Sequence, residues 1–441
     1  MTPASIRHTF FSILSDIEND ISSFVQKPGS HMTRHRYCDF KDTVLATLSL
    51  SMNRSNTELL NYFGIKRHIP SKSAFTQQRQ KLNDSFFPTL LKTFNNAIPL
   101  TKTYKGFHLV AVDGTDINLP TDKKDTVYSI KQARSDNYFY QMHVNALFDI
   151  CENRYISVIT QPKPQMNEKK AFIDLVENCG MPENTIFIGD RGYISLNTVA
   201  NLIESNKYFL IRSKSPTSTG SFTKNLILPD VESDQYISFN ITRAIRKCYT
   251  KHPDKYKCIK KSHIFDYIAP NDKSSIYTMS VRVTCVKLDD DSYEYLISNL
   301  PMDTFPSKEL KDLYWKRWAI ETSFKRLKYA LSLVYLHSVN RRLIIQELYA
   351  KIIMYNFTSL LHSYVQRCTE LLEKDKQNKY KYNVSFDDAV PIAKQLLKYS
   401  IKNSIIKALL IKHLSAVRVI DQPTSPRNVR SQTVKPLNNR A

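Results

Sequence analysis

No apolar run in the 441 residues approaches the roughly eighteen that a membrane span requires, so a transmembrane chain is not expected. Acids are scarce beside bases. Against 63 Lys plus Arg there are 41 Asp plus Glu, a formal charge of +22, and such a surplus points to a polyanionic partner, nucleic acid before membrane. The N-terminus, from Met1 to His8, lacks the apolar core of a signal peptide, which argues for the cytoplasm. The seven cysteines are odd in number and form no Cys-x-x-Cys pair, which excludes a disulfide framework and a cysteine zinc site and leaves reduced packing residues. His31, His35 and Cys38 have loosely metal-like spacing but lack a fourth partner. What is present is 42% hydrophobic content, enough for two or three domains with real cores.

Up to about residue 101 the pattern is helical. Phe40, Val44 and Leu48 recur at four-residue spacing, and Gly64 is a helix stop. Ser73 can cap a helix reaching Leu82 that carries Gln77, Arg79 and Lys81. Gln and Arg read base edges, so this segment is either a DNA-recognition helix or a plain solvated one. From Tyr104 the pattern changes to short extended runs. Residues 107–113, 138–150, 154–160, 185–190 and 208–212 read as strands, with helices at 168–178 and near 196–205, which together make an α/β layer. The first and fourth of these strands each end in an acid followed closely by glycine: Asp113 before Gly114, and Asp190 before Arg191 and Gly192. Turn chemistry alone explains such a placement, yet two strand ends of one sheet can also bring two carboxylates to one edge.

Residues 311–331 contain neither Pro nor Gly and read as one helix. Leu313, Ile320, Phe324, Leu327 and Leu331 form an apolar stripe; beside it fall Tyr314, Arg317, Glu321 and Lys328. A glutamate among cations is either part of a salt-bridged surface or an acid that holds a metal while its neighbours grip phosphate. Three carboxylates at close range repel one another unless divalent cations neutralise them. Mg²⁺ suits such oxygen donors, and two ions about 4 Å apart can clamp the attacking and leaving oxygens of a phosphodiester.

Residues 110–115 (Val-Ala-Val-Asp-Gly-Thr), 189–193 (Gly-Asp-Arg-Gly-Tyr) and the series Tyr314-x2-Arg317-x3-Glu321-x6-Lys328, in that order, resemble the signature of bacterial insertion-sequence transposases of the Asp-Asp-Glu type. The branch resembled carries its third acid in a Tyr-Arg-Glu-Lys motif. The similarity runs from about Phe107 to His337 and is weaker around 71–82.

The resemblance implies a ribonuclease-H-like α/β core: a mixed sheet flanked by helices and interrupted by a β-rich insertion, with helical N- and C-terminal regions. The expected division is a helical DNA-binding region at 1–101, core at 102–212, insertion at 213–300, signature helix at 301–340, a helical region at 341–420 and a disordered tail at 421–441. Within the insertion, 236–242, 261–269, 275–287 and 292–298 look like strands, and Asp289 to Asp291 read as a polar hairpin turn. After residue 340, 343–368 is strongly apolar, Ser385 to Asp388 resembles a capping box, and 401–417 has helical spacing.

By resemblance, Asp113, Asp190 and Glu321 would hold two Mg²⁺ ions, with Mn²⁺ as a substitute. Tyr314, Arg317, Trp318 and Lys328 would contact DNA near the cut. Some relatives pass through a DNA hairpin with a flipped base stacked on a tryptophan of the insertion. This chain has only Trp315 and Trp318, both in the signature segment. The expected partners are double-stranded DNA, as terminal inverted repeats and as target, and a second copy of the chain in a synaptic complex, at the nucleoid of a bacterial cytoplasm. The expected activity is cleavage at transposon ends followed by strand transfer. The alternatives are a catalytically silent DNA-binding derivative and a metal-dependent endonuclease without strand transfer.

Overall fold

The computed structural model describes residues 1–33, 38–65, 68–133, 136–229, 231–288, 292–373, 380–412 and 414–418. His35, the aspartates at 289–291 and the tail from 421 lie outside the described residues.

The chain opens with five helices, α1 (Pro3–Asn19), α2 (Phe40–Ser49), α3 (Ser55–Phe63), α4 (Lys72–Lys81) and α5 (Phe86–Ala97). The α4 cap is Ser71, two residues earlier than the sequence pattern indicates; its hydroxyl accepts from the Ala74 N–H at 3.2 Å. Gly64 ends α3 at φ 75°, a left-handed conformation that favours glycine.

The sheet begins with β1 (His108–Leu119), β2 (Ser129–Lys131), β3 (Tyr138–Asp149) and β4 (Arg154–Pro162). It continues through α6 (Glu168–Asn178), β5 (Thr185–Gly189), α7 (Leu196–Glu204) and β6 (Tyr208–Ser213). β3 lies antiparallel to β1 and β4, while β1, β5 and β6 run parallel. The order β4-β3-β1-β5-β6, with helices only in the two parallel crossovers, is the arrangement of a ribonuclease-H-like core. β1 is longer than its apolar run implies. It continues six residues past Asp113, because Gly114 to Leu119 keep full pairing with β3.

The insertion supplies β7 (Ser233–Thr242), a short helix α8 (Lys247–Thr250), β8 (Tyr256–Cys258), β9 (Ile276–Lys287) and β10 (Tyr293–Ser298). Its strands extend the core sheet through β6-β10-β9-β7-β8. Residues 261–269, read as a strand from sequence, are turns, because the buried Arg243 ties their carbonyls together.

The signature segment is two helices, α9 (Ser307–Trp315) and α10 (Trp318–Lys328), where the sequence indicates one. At the break the Arg317 N–H donates to Tyr314 and the Ile320 N–H to Arg317, both at 3.0 Å, so one tight three-residue turn interrupts the helical ladder. The chain ends in α11 (Arg341–Glu373), β11 (Tyr380–Val384), α12 (Phe386–Lys398), α13 (Asn403–Lys412) and β12 (Leu414–Arg418). Ser385 caps α12 by accepting from the Asp388 N–H.

Three layers result. One sheet face packs Val144, Phe148 and Tyr155 against α10 and α11, and the same core reaches α1, α2, α5 and α12. The opposite face packs Val112, Leu147 and Phe187 against α6 and α7. α9 covers Ile186, Ile188 and Leu210 through Leu310 and Leu313. Among the described residues no helix is long and apolar enough to cross a membrane.

Candidate active site

β1 and β5 bring the two aspartates together. Val112 and Gly189 are paired neighbours on these parallel strands, and Asp113 and Asp190 are the next residues on each. α10 packs on β1 through Ile320, Phe324 and Leu327, and its first turn holds Glu321 over the same sheet end.

Arg317 links the acids. Its Nη1 donates to Asp113 Oδ2 at 3.3 Å and its Nη2 to Glu321 Oε1 at 2.9 Å. The guanidinium lies over the rings of Tyr314 and Trp318, at 5.7 and 5.5 Å. Arg317 is only 4% exposed. Burial works against its charge, but Tyr314, Asp113 and Glu321 hold the proton on. Burial pushes Asp113 up to about 6, opposed by Arg317 and the Gly114 N–H and reinforced by Glu321 and Asp190. The Tyr314 hydroxyl donates to Asp190 Oδ1 at 3.0 Å, and burial followed by the Asp190 charge raises the phenol's pKa. Lys328, the last residue of α10, is half-buried; burial lowers its pKa and Asp116 works the other way.

The donors suit a hard divalent cation. Three carboxylates offer only oxygen, and two of them already share one guanidinium, which marks a place where positive charge is required. Among the described residues no three or more acidic, histidine or cysteine side chains are grouped closely enough to hold a metal ion, and Arg317 lies between Asp113 and Glu321.

The α4 residues lie apart from these acids, in a helical layer against α2 and α3. Gln77 is exposed and donates to Ser73, and Lys81 is half-exposed. Arg79 corrects the sequence reading. It is 3% exposed and donates to the Leu343 carbonyl at 2.6 Å, so its guanidinium faces the protein interior and not the outer surface of α4. Trp318 is 45% exposed beside Arg317.

Two groups escape a reading by motif. Glu294 on β10 is buried and ion-paired with Arg212 of β6 at 3.1 Å; burial raises its carboxyl, Arg212 opposes, and the charge of Asp190 adds to the rise. Its signal was an acid inside the apolar run of β10. The second group lies on the reverse face of β1 and β3. His143 Nδ1 meets Asp116 at 2.6 Å, its Nε2 lies 3.3 Å from Glu168 but off the hydrogen-bond axis, and Lys163 pairs with Asp116 at 2.8 Å. The Tyr193 hydroxyl donates to Asn145 at 3.1 Å beside them, and the Tyr193 N–H donates to the Asp190 carbonyl.

Comparison with known proteins gives a family. Residues 105–357 match the model described as the Transposase DDE domain. No curated protein sequence matches the chain significantly. Among solved structures the chain is similar to the piggyBac transposase synaptic complex with hairpin DNA, at 10% identity and a TM-score of 0.46, over 97% of this chain and 88% of that one.

Proposed function

The chain belongs to the transposase DDE domain family, and from that premise we propose that it cuts transposon ends and joins them to target DNA. The branch proposed is that of bacterial insertion sequences with a Tyr-Arg-Glu-Lys signature. The observation that carries the reading is one buried guanidinium touching two carboxylates, Asp113 and Glu321, at the sheet end where Asp190 is the strand neighbour of Asp113.

Asp113, Asp190 and Glu321 would hold two Mg²⁺ ions, or Mn²⁺ in their place, which when bound polarise the phosphodiester and lower the pKa of the attacking hydroxyl. The chain's own groups orient the rest. Tyr314 fixes the Asp190 carboxylate through its hydroxyl, so that acid presents one rotamer. Arg317 suits a bidentate grip on a phosphate flanking the cut. Lys328 adds a point charge at the far end of α10, and Trp318 offers an exposed ring to the same DNA. Hydrolysis releases a 3′-hydroxyl, which then attacks a second phosphodiester in the target, displacing its 3′ oxygen.

The partners of this reading are duplex DNA, as terminal repeats and target, and a second copy of the chain in the synapse. The catalytic core falls in two pieces, 102–212 and 301–340, around the insertion at 213–300, followed by the helical region at 341–420. The N-terminal helices, 1–101, form the end-binding part, with Gln77 and Lys81 as the outward side chains of α4.

The test is a plasmid carrying the DNA that flanks the gene, incubated with purified protein and Mg²⁺. The expected products are nicks at the ends of inverted repeats and joined molecules with a second plasmid. Cleavage without joining would leave an endonuclease. DNA binding with no cleavage in Mg²⁺ or Mn²⁺ would leave a silent derivative.

A further inference from the structure

A positive patch outside the catalytic site sits at the outer edge of the sheet. After β7 the chain turns through α8 into β8, the last strand of the sheet order, which pairs only with β7 among the described strands. Between residues 246 and 261 six cations are exposed, Arg246, Lys247, Lys251, Lys255, Lys260 and Lys261, while Asp254 is the single acid of that stretch. Among the described residues none of the six pairs with an acid. Like charges crowded in this way oppose folding unless a polyanion meets them.

Arg243 braces the patch from below. Arg243 is 5% exposed and spreads its guanidinium over the carbonyls of Ile268 at 3.0 Å, Lys260 at 2.8 Å and His263 at 3.2 Å. That fixes the backbone from which Lys260 and Lys261 project. On the other flank Tyr249 and Tyr256 stack at 4.4 Å, with Arg246 over the Tyr249 ring at 5.6 Å. Stacked on each other, with Arg246 over one of them, these rings leave less face for an unpaired base than isolated tyrosines would. An array of exposed cations whose neighbouring tyrosines are stacked on each other fits the sugar-phosphate backbone of a duplex better than a single strand.

Its position gives the spacing. The strand order places β8 five strands from β5, and the register puts the level of the aspartates near Asp234, about seven residues above the β7–β8 pairing. With strands about 4.8 Å apart and a rise of about 3.3 Å per residue, the separation along the sheet is about 33 Å. One turn of duplex DNA is about 34 Å, after which the same backbone face returns. We infer that the corner formed by residues 246–261 grips the backbone of duplex DNA about one helical turn from the phosphate that is cut.

The inference rests on the proposed function and is tested with the full chain. Hydroxyl-radical footprints and titrations on a 60-base-pair duplex from the DNA flanking the gene would compare wild type with a variant combining Lys247→Gln, Lys251→Gln, Lys255→Gln, Lys260→Gln and Lys261→Gln. Circular dichroism and thermal unfolding would show that the variant is folded. The expected result is a salt-dependence slope smaller by roughly three to five and lost protection about ten base pairs from the cut, with protection at the cut retained. A wild type that cuts while the variant keeps its slope and its full footprint overturns the patch alone. A wild type that neither binds nor cuts overturns the parent reading and the patch with it.

Discussion

On the proposed function, Arg317 would have two jobs that compete. In the protein alone it neutralises Asp113 and Glu321, and with DNA present the same guanidinium is suited to a phosphate. Arg317→Ala and Lys328→Ala should each weaken duplex binding and reduce the salt slope by about one; titrations at several salt concentrations would show it, and an unchanged slope would count against phosphate contact. Asp113→Ala, Asp190→Ala and Glu321→Ala should each lower cleavage by at least roughly a thousandfold while DNA affinity stays near that of wild type. Gel assays of cleavage and of binding separate the two effects. At this scale the sequence was informative where acids stood beside glycine at strand ends, and uninformative about distant partners. Phe75, one helical turn earlier, sets Arg79 on the inward face of its helix, but its partner could not be read, because that is a backbone carbonyl more than 260 positions away. For Glu294 the sequence showed an acid in an apolar run but not its neighbours, since Arg212 is on β6 and Asp190 follows β5.

β1 carries Asp113 on one face and a polar cluster on the other. Gly114 is needed there, because a Cβ would overlap the His143 ring. Gly114→Ala should destabilise the fold by about 1–3 kcal/mol through overpacking, and His143→Ala in the same chain should restore part of that loss in denaturant titrations. His143 also sets a pH dependence. Burial lowers its pKa, but Asp116 and Glu168 outweigh that and raise it to about 9. The charged form therefore stabilises the fold: the contribution is complete below about pH 6.5, the unfolded value, and is lost as pH rises through the folded value. Wild type should lose stability on the order of 1–2 kcal/mol across that window, less than the whole shift because the contact to Glu168 is off-axis and partly screened, and His143→Gln should flatten the profile; a variant with the wild-type profile would refute the assignment. Periodicity found most helices and strands, yet it could not show the turn at Lys316 and Arg317, where good helix formers run unbroken and tertiary packing of α9 and α10 on different strands forces the bend.

At the scale of the whole molecule α11 is the common core. Phe357 meets Phe10 of α1 and Phe94 of α5 at 6.0 and 6.3 Å between ring centres, and the same cluster reaches β4 and α12. Phe357→Ala should cost about 3–5 kcal/mol and lower the midpoint of thermal unfolding measured by calorimetry. The α/β class and the presence of inserted strands were legible from alternating patterns. That the inserted strands continue the core sheet was not, because strand partners are chosen by edge pairing across long separations.

On the proposed function, Asp113, Asp190 and Glu321 bind divalent metal for DNA cleavage. The most direct measurement replaces each acid by cysteine and compares cleavage in Mg²⁺ and Mn²⁺, since a thiolate accepts the softer ion more readily. Asp113→Cys, Asp190→Cys and Glu321→Cys should be silent in Mg²⁺ and regain cleavage in Mn²⁺; full Mg²⁺-dependent cleavage by any one of them would rule out its acid as a metal ligand.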